Sequence, residues 1–451
     1  MKNYMEPPAN TVCAKFSLYA LSAHDKNKRM FSLLFVGGKA MKIIMNTKNL
    51  LTAQSGGPTA AINASLAGVI RAGVENDAVD HVYGAVHGIE GVLNDFILPL
   101  DNLDTELLQQ TPAAYLGSCR NKLPAASQGP AVYEKIFNLF AKYNIGYFLY
   151  IGGNDSMDTV CKLSAYAREH KIDVAVIGIP KTIDNDLEIT DHTPGFGSAA
   201  KYIATTVSEI ANDSHVYFLR SVTIIEIMGR HAGWLTAASA LARNSESPAP
   251  HLIYLPEVVF SKDAFIADIQ AQFDAGVTNV IVAVSEGIKD KDGKFICEDS
   301  ETGLDAFGHK MLSGAGKVLE RHVAAVLGCK VRSVELNVSQ RCAGHLLSKT
   351  DISEAFAIGA AGVQAAVNGE TGKMMAFVRT GNTPYQIEIT STPIDRIANQ
   401  EKKVPAAYIS GRHDVSEAML AYLRPLICGE IPVRYQDGLP MYLYRPKFRK
   451  E

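Results

Sequence analysis

A short polar loop holds the residues whose types and spacing best suit chemistry. It follows an apolar run, Val174 to Ile179, which predicts a buried strand. The polar side chains of the loop are Lys181, Thr182, Asp184, Asn185 and Asp186. In an open α/β sheet, ligands bind beyond the carboxyl ends of the strands, because the loops there converge on one crevice. One cation, one hydroxyl and two carboxylates at such a position indicate catalysis rather than packing.

Polar loops follow four other predicted strands in the same way. They are Gly56-Gly57, Gly153-Asn154-Asp155, Met228-Gly229-Arg230 and Ser285-Glu286. Any one of them could be an ordinary turn, and so could the basic segment around Arg120. Together they supply glycine turns that admit a phosphate, cations and carboxylates. Phosphoryl transfer requires that set, since it depends on positioning, on charge neutralisation and on a carboxylate that accepts the proton of the attacking hydroxyl.

The elements that must position these loops alternate between strand and helix from Lys48 onward, which predicts an α/β fold with mostly parallel sheets. A helix is predicted to begin near Met157, after the second glycine turn. The second half of the chain repeats the pattern. Its predicted strands are Val222 to Ile227, Leu252 to Leu255, Val280 to Val284 and Val334 to Val338. With 451 residues, the chain is long enough for two domains.

Composition excludes several classes of function. The net charge of −3 gives no electrostatic reason to expect nucleic acid or a membrane surface as a partner. No apolar run approaches the roughly 18 residues of a membrane-spanning helix. The seven cysteines form no CxxC pair, which favours reduced thiols and a cytoplasmic location.

Two sequence features are set aside. The pattern Gly195-Phe196-Gly197-Ser198-Ala199-Ala200 has the spacing of a dinucleotide motif, but no apolar strand precedes it. Residues 1–44 lack the alternating pattern and are expected to be a leader outside the fold. An upstream start codon ahead of Met41 or Met45 would explain that segment.

The loop residues together resemble the phosphofructokinase family, and more narrowly its pyrophosphate-dependent branch. The resemblance spans roughly residues 46 to 425, and the Pro180-to-Asp186 and Met228-Gly229-Arg230 segments are its most specific parts. It implies two Rossmann-like αβα domains with mostly parallel sheets and the active site in the cleft between them. The implied ranges are 45–197 with about 340–390 for the phosphoryl donor, 198–339 with about 391–430 for fructose 6-phosphate, and an irregular tail at 431–451.

The resemblance also implies substrates, a cofactor and residue roles. The substrates are pyrophosphate and fructose 6-phosphate, the cofactor is Mg²⁺, and the assembly is a homodimer or homotetramer. Asp184 would be the general base, with Lys181 and Asp155 as further catalytic groups. The implied donor-binding residues are Gly57, Arg120, Asp155 and Lys181, and the implied metal ligands are Asn154 and Asp186. The implied substrate-binding residues are Thr182, Ile183, Asp184, Met228, Gly229, Arg230, Glu286, Arg341 and Arg332, the last from a neighbouring subunit.

The choice of donor has a physical argument. In the ATP-using branch of the family the positions of Asp155 and Lys181 are both glycine. A carboxylate in the space of the ATP α-phosphate is repulsive, by about 4 kcal/mol at 4 Å and an effective dielectric of 20. Lys181 would neutralise charge on the leaving phosphate. Both positions therefore favour pyrophosphate.

Two departures from the family pattern keep alternatives open. Asn154 stands where an aspartate usually binds magnesium, and Val338 stands where a tyrosine or histidine usually contacts the sugar phosphate. The alternatives are an ATP-dependent 6-phosphofructokinase and a catalytically silent regulatory subunit that binds sugar phosphates.

Overall fold

The computed structural model describes residues 47–216, 218–297, 314–397 and 400–445, together with strands between residues 22 and 44. The strands are β1 Ser22–His24, β2 Met30–Val36, β3 Lys39–Ile44, β4 Lys48–Gln54, β5 Val79–Ala85, β6 Ile97–Pro99, β7 Ile145–Gly152, β8 Ala175–Pro180, β9 Ser221–Ile227, β10 Leu252–Tyr254, β11 Asn279–Ser285, β12 Lys330–Glu335, β13 Lys373–Asn382, β14 Tyr385–Pro393, β15 Ile409–Ser410, β16 Asp414–Val415, β17 Tyr435–Gln436 and β18 Leu439–Pro440. The helices are α1 Ile62–Val74, α2 Gly88–Leu93, α3 Thr105–Gln110, α4 Pro130–Lys142, α5 Asn154–Glu169, α6 Phe196–Ser214, α7 Trp234–Ala238, α8 Lys262–Asp274, α9 Ala315–Leu327, α10 Lys349–Val367 and α11 Glu417–Leu423.

The larger sheet has seven strands in the order β14-β13-β8-β7-β4-β5-β6. Its neighbours pair parallel from β13 to β5, and only the two outermost pairs are antiparallel. Helices α4 and α5 pack on one face through side chains such as Phe140 and Leu163, and α1 and α10 cover the other. Because both faces are covered, β7 is buried along nearly its whole length, and its sequence is an unbroken apolar run.

The second sheet has four strands in the order β10-β11-β9-β12, and all of its pairs are parallel. Helices α6, α7 and α11 pack on one face around Leu235 and Leu423. Helices α8 and α9 cover the other face with Phe265 and Leu319. Two covered, mostly parallel sheets confirm the predicted α/β class.

The chain builds the larger sheet in two visits. Strands β4 to β8 come first, α6 leads into the second sheet, and the chain then returns through α10 to β13 and β14. The ranges predicted for the donor and acceptor domains stay predictions. So does the leader, most of which lies outside the described residues; the described β1, β2 and β3 pair antiparallel in a sheet of their own.

Two predicted boundaries were wrong. Helix α5 begins at Asn154 rather than near Met157, because Gly153 takes an extended conformation and caps the helix directly. Strand β12 covers Lys330 to Glu335, not Val334 to Val338, and a 3-10 turn at Asn337–Arg341 follows it. This strand lies at the edge of its sheet and alternates partly buried with exposed residues, so it carries no apolar run to mark it.

Helices α1 and α10 cross at very close range. A Cβ added at Gly68 would lie 2.0 Å from the carbonyl oxygen of Phe356, and one at Gly359 would lie 2.1 Å from that of Ser65. Only glycine permits such an approach of two backbones. The crossing fixes α1, whose N-terminus follows the Gly56-Gly57 turn.

Candidate active site

The Lys181-to-Asp186 loop leaves the carboxyl end of β8, as predicted. Its side chains alternate in exposure: Thr182, Asp184 and Asp186 are partly exposed, whereas Ile183 and Asn185 are buried. The hydroxyl of Thr182 accepts a hydrogen bond from the backbone N–H of Asp184 at 3.1 Å. Both acidic side chains of the loop therefore lie on its open side, together with the threonine.

Lys181 joins this loop to the first glycine turn. Its side chain is 1% exposed, and its Nζ donates to the carbonyl oxygen of Gly57 at 2.7 Å. The same Nζ would lie 3.2 Å from a Cβ added at Gly56, a tight contact, and the φ of 77° at Gly56 also favours glycine. Burial lowers the pKa of Lys181 to about 8, against the attraction of Asp184 and Asp186.

The two carboxylates of the loop are poorly solvated and close to each other. Burial raises the pKa of Asp184, opposed by Lys181, Thr182, Arg230 and Arg341. Burial raises the pKa of Asp186 to about 7, and the charge of Asp184 adds to the shift. A carboxylate pair with raised pKa values is stabilised by a cation, or by a proton taken from a substrate.

The loops after β9 and β11 face this pair from the second sheet. Glu286 accepts a hydrogen bond from the backbone N–H of Gly229 at 3.3 Å, and Ser285 donates to the carbonyl oxygen of Gly229 at 2.6 Å. The backbone N–H of Met228 donates to Gln340 at 3.3 Å. Burial raises the pKa of Glu286 to about 7, and Asp184 contributes to the shift. Both sheets therefore contribute charged groups to one crevice.

Two arginines also belong to this crevice. Arg341 Nη1 would lie 3.7 Å from a Cβ added at Gly57, and its charge acts on Asp184. Arg230 has a buried Nε with no hydrogen-bond partner among the described residues, and its charge also acts on Asp184. Two cations that face the Asp184 carboxylate from two different loops can bind phosphate groups beside it.

The side chain of Asp155 pairs with a cation to which the sequence analysis gave no role. Lys122 Nζ lies 2.9 Å from Asp155, and both side chains are about half exposed. The turn that contains Lys122 and Arg120 is tied to the glycine turn, because Ser118 donates to the carbonyl oxygen of Gly56 at 2.6 Å. The basic composition of residues 120–122 was the available signal, but it did not point to Asp155.

The predicted metal ligands are placed differently from each other. The side-chain amide of Asn154 donates to the carbonyl oxygen of Gln400 at 2.7 Å, whereas Asp186 faces Asp184 in the crevice. Within the described part of the chain, no cluster of three or more His, Cys, Asp or Glu side chains could hold a metal. Mg²⁺ is commonly held by one or two carboxylates together with substrate phosphates. The poorly solvated Asp184 and Asp186 fit that donor set.

Arg332 lies apart from the other predicted residues within one chain. It is in the middle of β12, and its Nη1 pairs with Asp213 at 3.3 Å. Asp213 is near the C-terminus of α6, whereas Gly195, at the start of that helix, bridges to Thr182. At 1.5 Å per residue the two ends of α6 are about 27 Å apart. Arg332 therefore does not reach the crevice of its own chain.

Residues far along the chain support the loop from behind. Asn185, Lys402 and Tyr422 form a hydrogen-bonded group on its buried side. No local pattern marks Lys402 or Tyr422, and Asn185 received no role from its position in the sequence.

No helix of the described residues is both long and apolar enough to span a bilayer.

Comparison with known proteins gives a consistent result. Residues 49–360 match the family model described as phosphofructokinase. The pyrophosphate–fructose 6-phosphate 1-phosphotransferase of Methylococcus capsulatus is 40% identical over 88% of this chain and 96% of its own length. The protein of the same name from Xanthomonas campestris pv. campestris is 42% identical with the same coverage. The crystal structure of the pyrophosphate-dependent phosphofructokinase from Nitrosospira multiformis aligns with a TM-score of 0.80 at 36% identity, over 90% of this chain and 99% of that one.

Proposed function

The chain belongs to the phosphofructokinase family, and we propose that it transfers a phosphoryl group from pyrophosphate to the 1-hydroxyl of fructose 6-phosphate. The products are fructose 1,6-bisphosphate and phosphate, and the reaction is reversible. The observation that carries the proposal is the buried Lys181, whose Nζ donates to the carbonyl oxygen of Gly57 in the glycine turn and whose charge is attracted by Asp184 and Asp186. A cation fixed there can hold an inorganic diphosphate directly beside the base.

Asp184 is the general base. The 1-hydroxyl oxygen attacks the terminal phosphorus of pyrophosphate, the bridging P–O bond breaks, and phosphate leaves. The hydroxyl proton passes to Asp184, whose raised pKa suits it to accept that proton. Lys181 stabilises the negative charge that develops on the leaving phosphate.

Mg²⁺ is the proposed cofactor, with Asp186 as a ligand and Asn154 beside it. When bound, the ion neutralises charge on the transferring phosphoryl group. The amide nitrogen of Asn154 donates to the carbonyl oxygen of Gln400, and an amide would bind Mg²⁺ through its oxygen. Because Asn154 is neutral, Asp186 and the substrate phosphates would carry most of the binding.

Fructose 6-phosphate occupies the side of the second sheet. Thr182, the backbone of Ile183 and the turn Met228-Gly229-Arg230 surround the reacting end, and Glu286 binds sugar hydroxyls. Arg341 holds the 6-phosphate. Its approach to Gly57 also puts it within reach of the donor, so it draws the two substrates together.

Donor selection depends on Gly57, Arg120, Asp155 and Lys181. Asp155 carries negative charge into the space that a longer nucleotide would need. Asp155 pairs with Lys122 and is half-exposed, so the lysine charge and the solvent both weaken its repulsion of a nucleotide phosphate. The volume of the Asp155 side chain therefore contributes to the exclusion of a nucleotide along with its charge. Lys181 supplies the positive charge that a compact diphosphate requires.

We propose a homodimer or homotetramer in which Arg332 reaches the 6-phosphate in a neighbouring subunit. The distance of Arg332 from the crevice of its own chain supports this arrangement. Light scattering after size exclusion tests the assembly, and a monomer at working concentration contradicts it.

The six cysteines among the described residues are free thiols, which supports a cytoplasmic location.

One assay separates the proposed activity from its alternatives. Formation of fructose 1,6-bisphosphate is measured with Mg²⁺ and either pyrophosphate or ATP. We expect turnover with pyrophosphate alone, and loss of that turnover in Asp184→Asn. Turnover with ATP alone would establish an ATP-dependent phosphofructokinase. Binding of fructose 6-phosphate without turnover would establish a regulatory subunit.

A further inference from the structure

Asn185 stands between the two acidic residues of the loop and has no role in the reaction described above. It is fully buried, and its φ of 54° lies in the left-handed region, which few residues other than glycine adopt. Asparagine tolerates this conformation better than most residues. A buried amide in an unusual backbone conformation between the base and the metal ligand indicates a specific function for its side chain.

The amide of Asn185 is bonded on both sides. Its Nδ2 donates to the hydroxyl of Tyr422 at 2.9 Å, and its Oδ1 accepts from Nζ of Lys402 at 3.3 Å. The Tyr422 hydroxyl in turn donates to the carbonyl oxygen of Asp191 at 2.8 Å. The direction of each bond is determined, because lysine can only donate and the tyrosine proton is already committed. Only an amide can satisfy both neighbours.

Lys402 extends the same support along the loop. Its Nζ also donates to the carbonyl oxygens of Thr190 and Asp191, at 2.9 and 2.8 Å. Its backbone N–H donates to the carbonyl oxygen of Asp186 at 2.8 Å. The support therefore holds Asp186 through its backbone, and the chain just beyond it through two carbonyl groups.

We propose that Asn185 is a positioning residue that, through Tyr422 and Lys402, holds the Asp184 and Asp186 carboxylates at the separation the reaction needs. The inference rests on the proposed function for its effect on rate. The three residues form a latch, defined here as Asn185, Tyr422 and Lys402, on the buried side of the loop. Without the latch the fold stays intact, but the base and the metal ligand lose their fixed geometry.

The test compares Tyr422→Phe, Asn185→Gly and the double variant with wild type. Tyr422→Phe removes one hydroxyl and keeps the ring, and Asn185→Gly keeps the left-handed backbone but removes the amide. Tyr408→Phe is the matched control, since Tyr408 stacks on Tyr422 at 5.7 Å outside the latch. We measure kcat, both KM values, the melting temperature and hydrogen exchange of the peptide covering residues 181–193.

We expect kcat to fall about 10- to 100-fold in each single variant, as for a small misplacement of catalytic groups. Both KM values stay within about threefold. The loss of kcat in the double variant is smaller than the product of the two single losses, because both changes remove the Asn185–Tyr422 hydrogen bond. Exchange in residues 181–193 quickens in these variants and not in Tyr408→Phe.

Several outcomes overturn the inference. These are a kcat within twofold of wild type in Tyr422→Phe, full activity in Asn185→Gly, or additive losses in the double variant. An unchanged exchange rate also overturns it and needs no turnover. A wild-type enzyme inactive with both donors refutes the proposed function instead, and the exchange measurement then decides on the latch alone.

Discussion

The proposed donor chemistry is tested most directly at Lys181, because its cation is buried and its pKa is displaced. With a pKa of about 8, Lys181 is about 90% charged at pH 7 and about 10% charged at pH 9. Since kcat/KM reports the free enzyme, the contribution of this group to kcat/KM for pyrophosphate falls about tenfold over that interval. The loss runs toward high pH, because the active form is the protonated lysine.

The variant Lys181→Met removes the charge and keeps most of the volume. A hydrogen bond to a charged group contributes about 1.5–3 kcal/mol, so we expect kcat/KM for pyrophosphate to fall about 10- to 150-fold at pH 7. The KM for fructose 6-phosphate should stay within about twofold, since Lys181 contacts the donor turn.

The assay follows initial rates of fructose 1,6-bisphosphate formation from pH 7 to 9 at limiting pyrophosphate. Dividing the wild-type rate by the variant rate cancels the ionisation of pyrophosphate itself. Lys142→Met is the matched control. Lys142 is the last residue of α4, pairs with Asp95 in an exposed position, and is not one of the residues of the crevice. A ratio that stays flat with pH, or a loss below threefold at pH 7, would refute the role given to Lys181.

Three further predictions concern the rest of the structure. Glu286→Gln should raise the free energy of unfolding at pH 8 by up to about 3 kcal/mol and leave it unchanged near pH 4. The reason is that the pKa of Glu286 rises from 4.5 to about 7 on folding, so the folded state loses stability as pH rises through that range and the carboxyl group ionises. Urea unfolding at both pH values checks this, and an equal effect at both contradicts it. Gly359→Ala should lower the free energy of unfolding by about 1–3 kcal/mol, because the added carbon clashes with the Ser65 carbonyl. Gly362→Ala should cost less, since its added carbon meets only side chains at 3.2 Å or more. Thermal melts compare the two variants. Asn154→Asp should lower the melting temperature without metal, because a carboxylate cannot donate a hydrogen bond to Gln400. The same change should enlarge the increase in melting temperature that Mg²⁺ causes. An unchanged increase would show that residue 154 does not approach the metal.

The sequence predicted the parts of the site that lie within short windows of the chain. The apolar run of β8 and the polar loop beyond it lie within about a dozen residues, so periodicity and loop composition sufficed. Asn154 was predicted as a metal ligand, but its amide contacts Gln400, 246 residues away. Local composition carries no information about a partner at that distance.

The support behind the loop was unpredictable for the same reason. Asn185 bonds to Tyr422, 237 residues away, and to Lys402, 217 residues away. A tyrosine in a short helix or a lysine in an irregular segment has many physical explanations, and only the folded chain selects one. Strand β12 was misplaced because an edge strand has no need of continuous apolar residues.

The position of β8 next to β13 has a consequence during synthesis on the ribosome. The Lys181-to-Asp186 loop leaves β8, but β13 pairs with β8 through Lys373 and Met374, almost two hundred residues later. At about 5–20 residues per second, that edge of the sheet stays unpaired for on the order of 10–40 s. During this time it exposes backbone groups that can pair with other nascent chains. Tyr422 emerges later still, so the Lys181-to-Asp186 loop acquires its final support only after that residue has been synthesised.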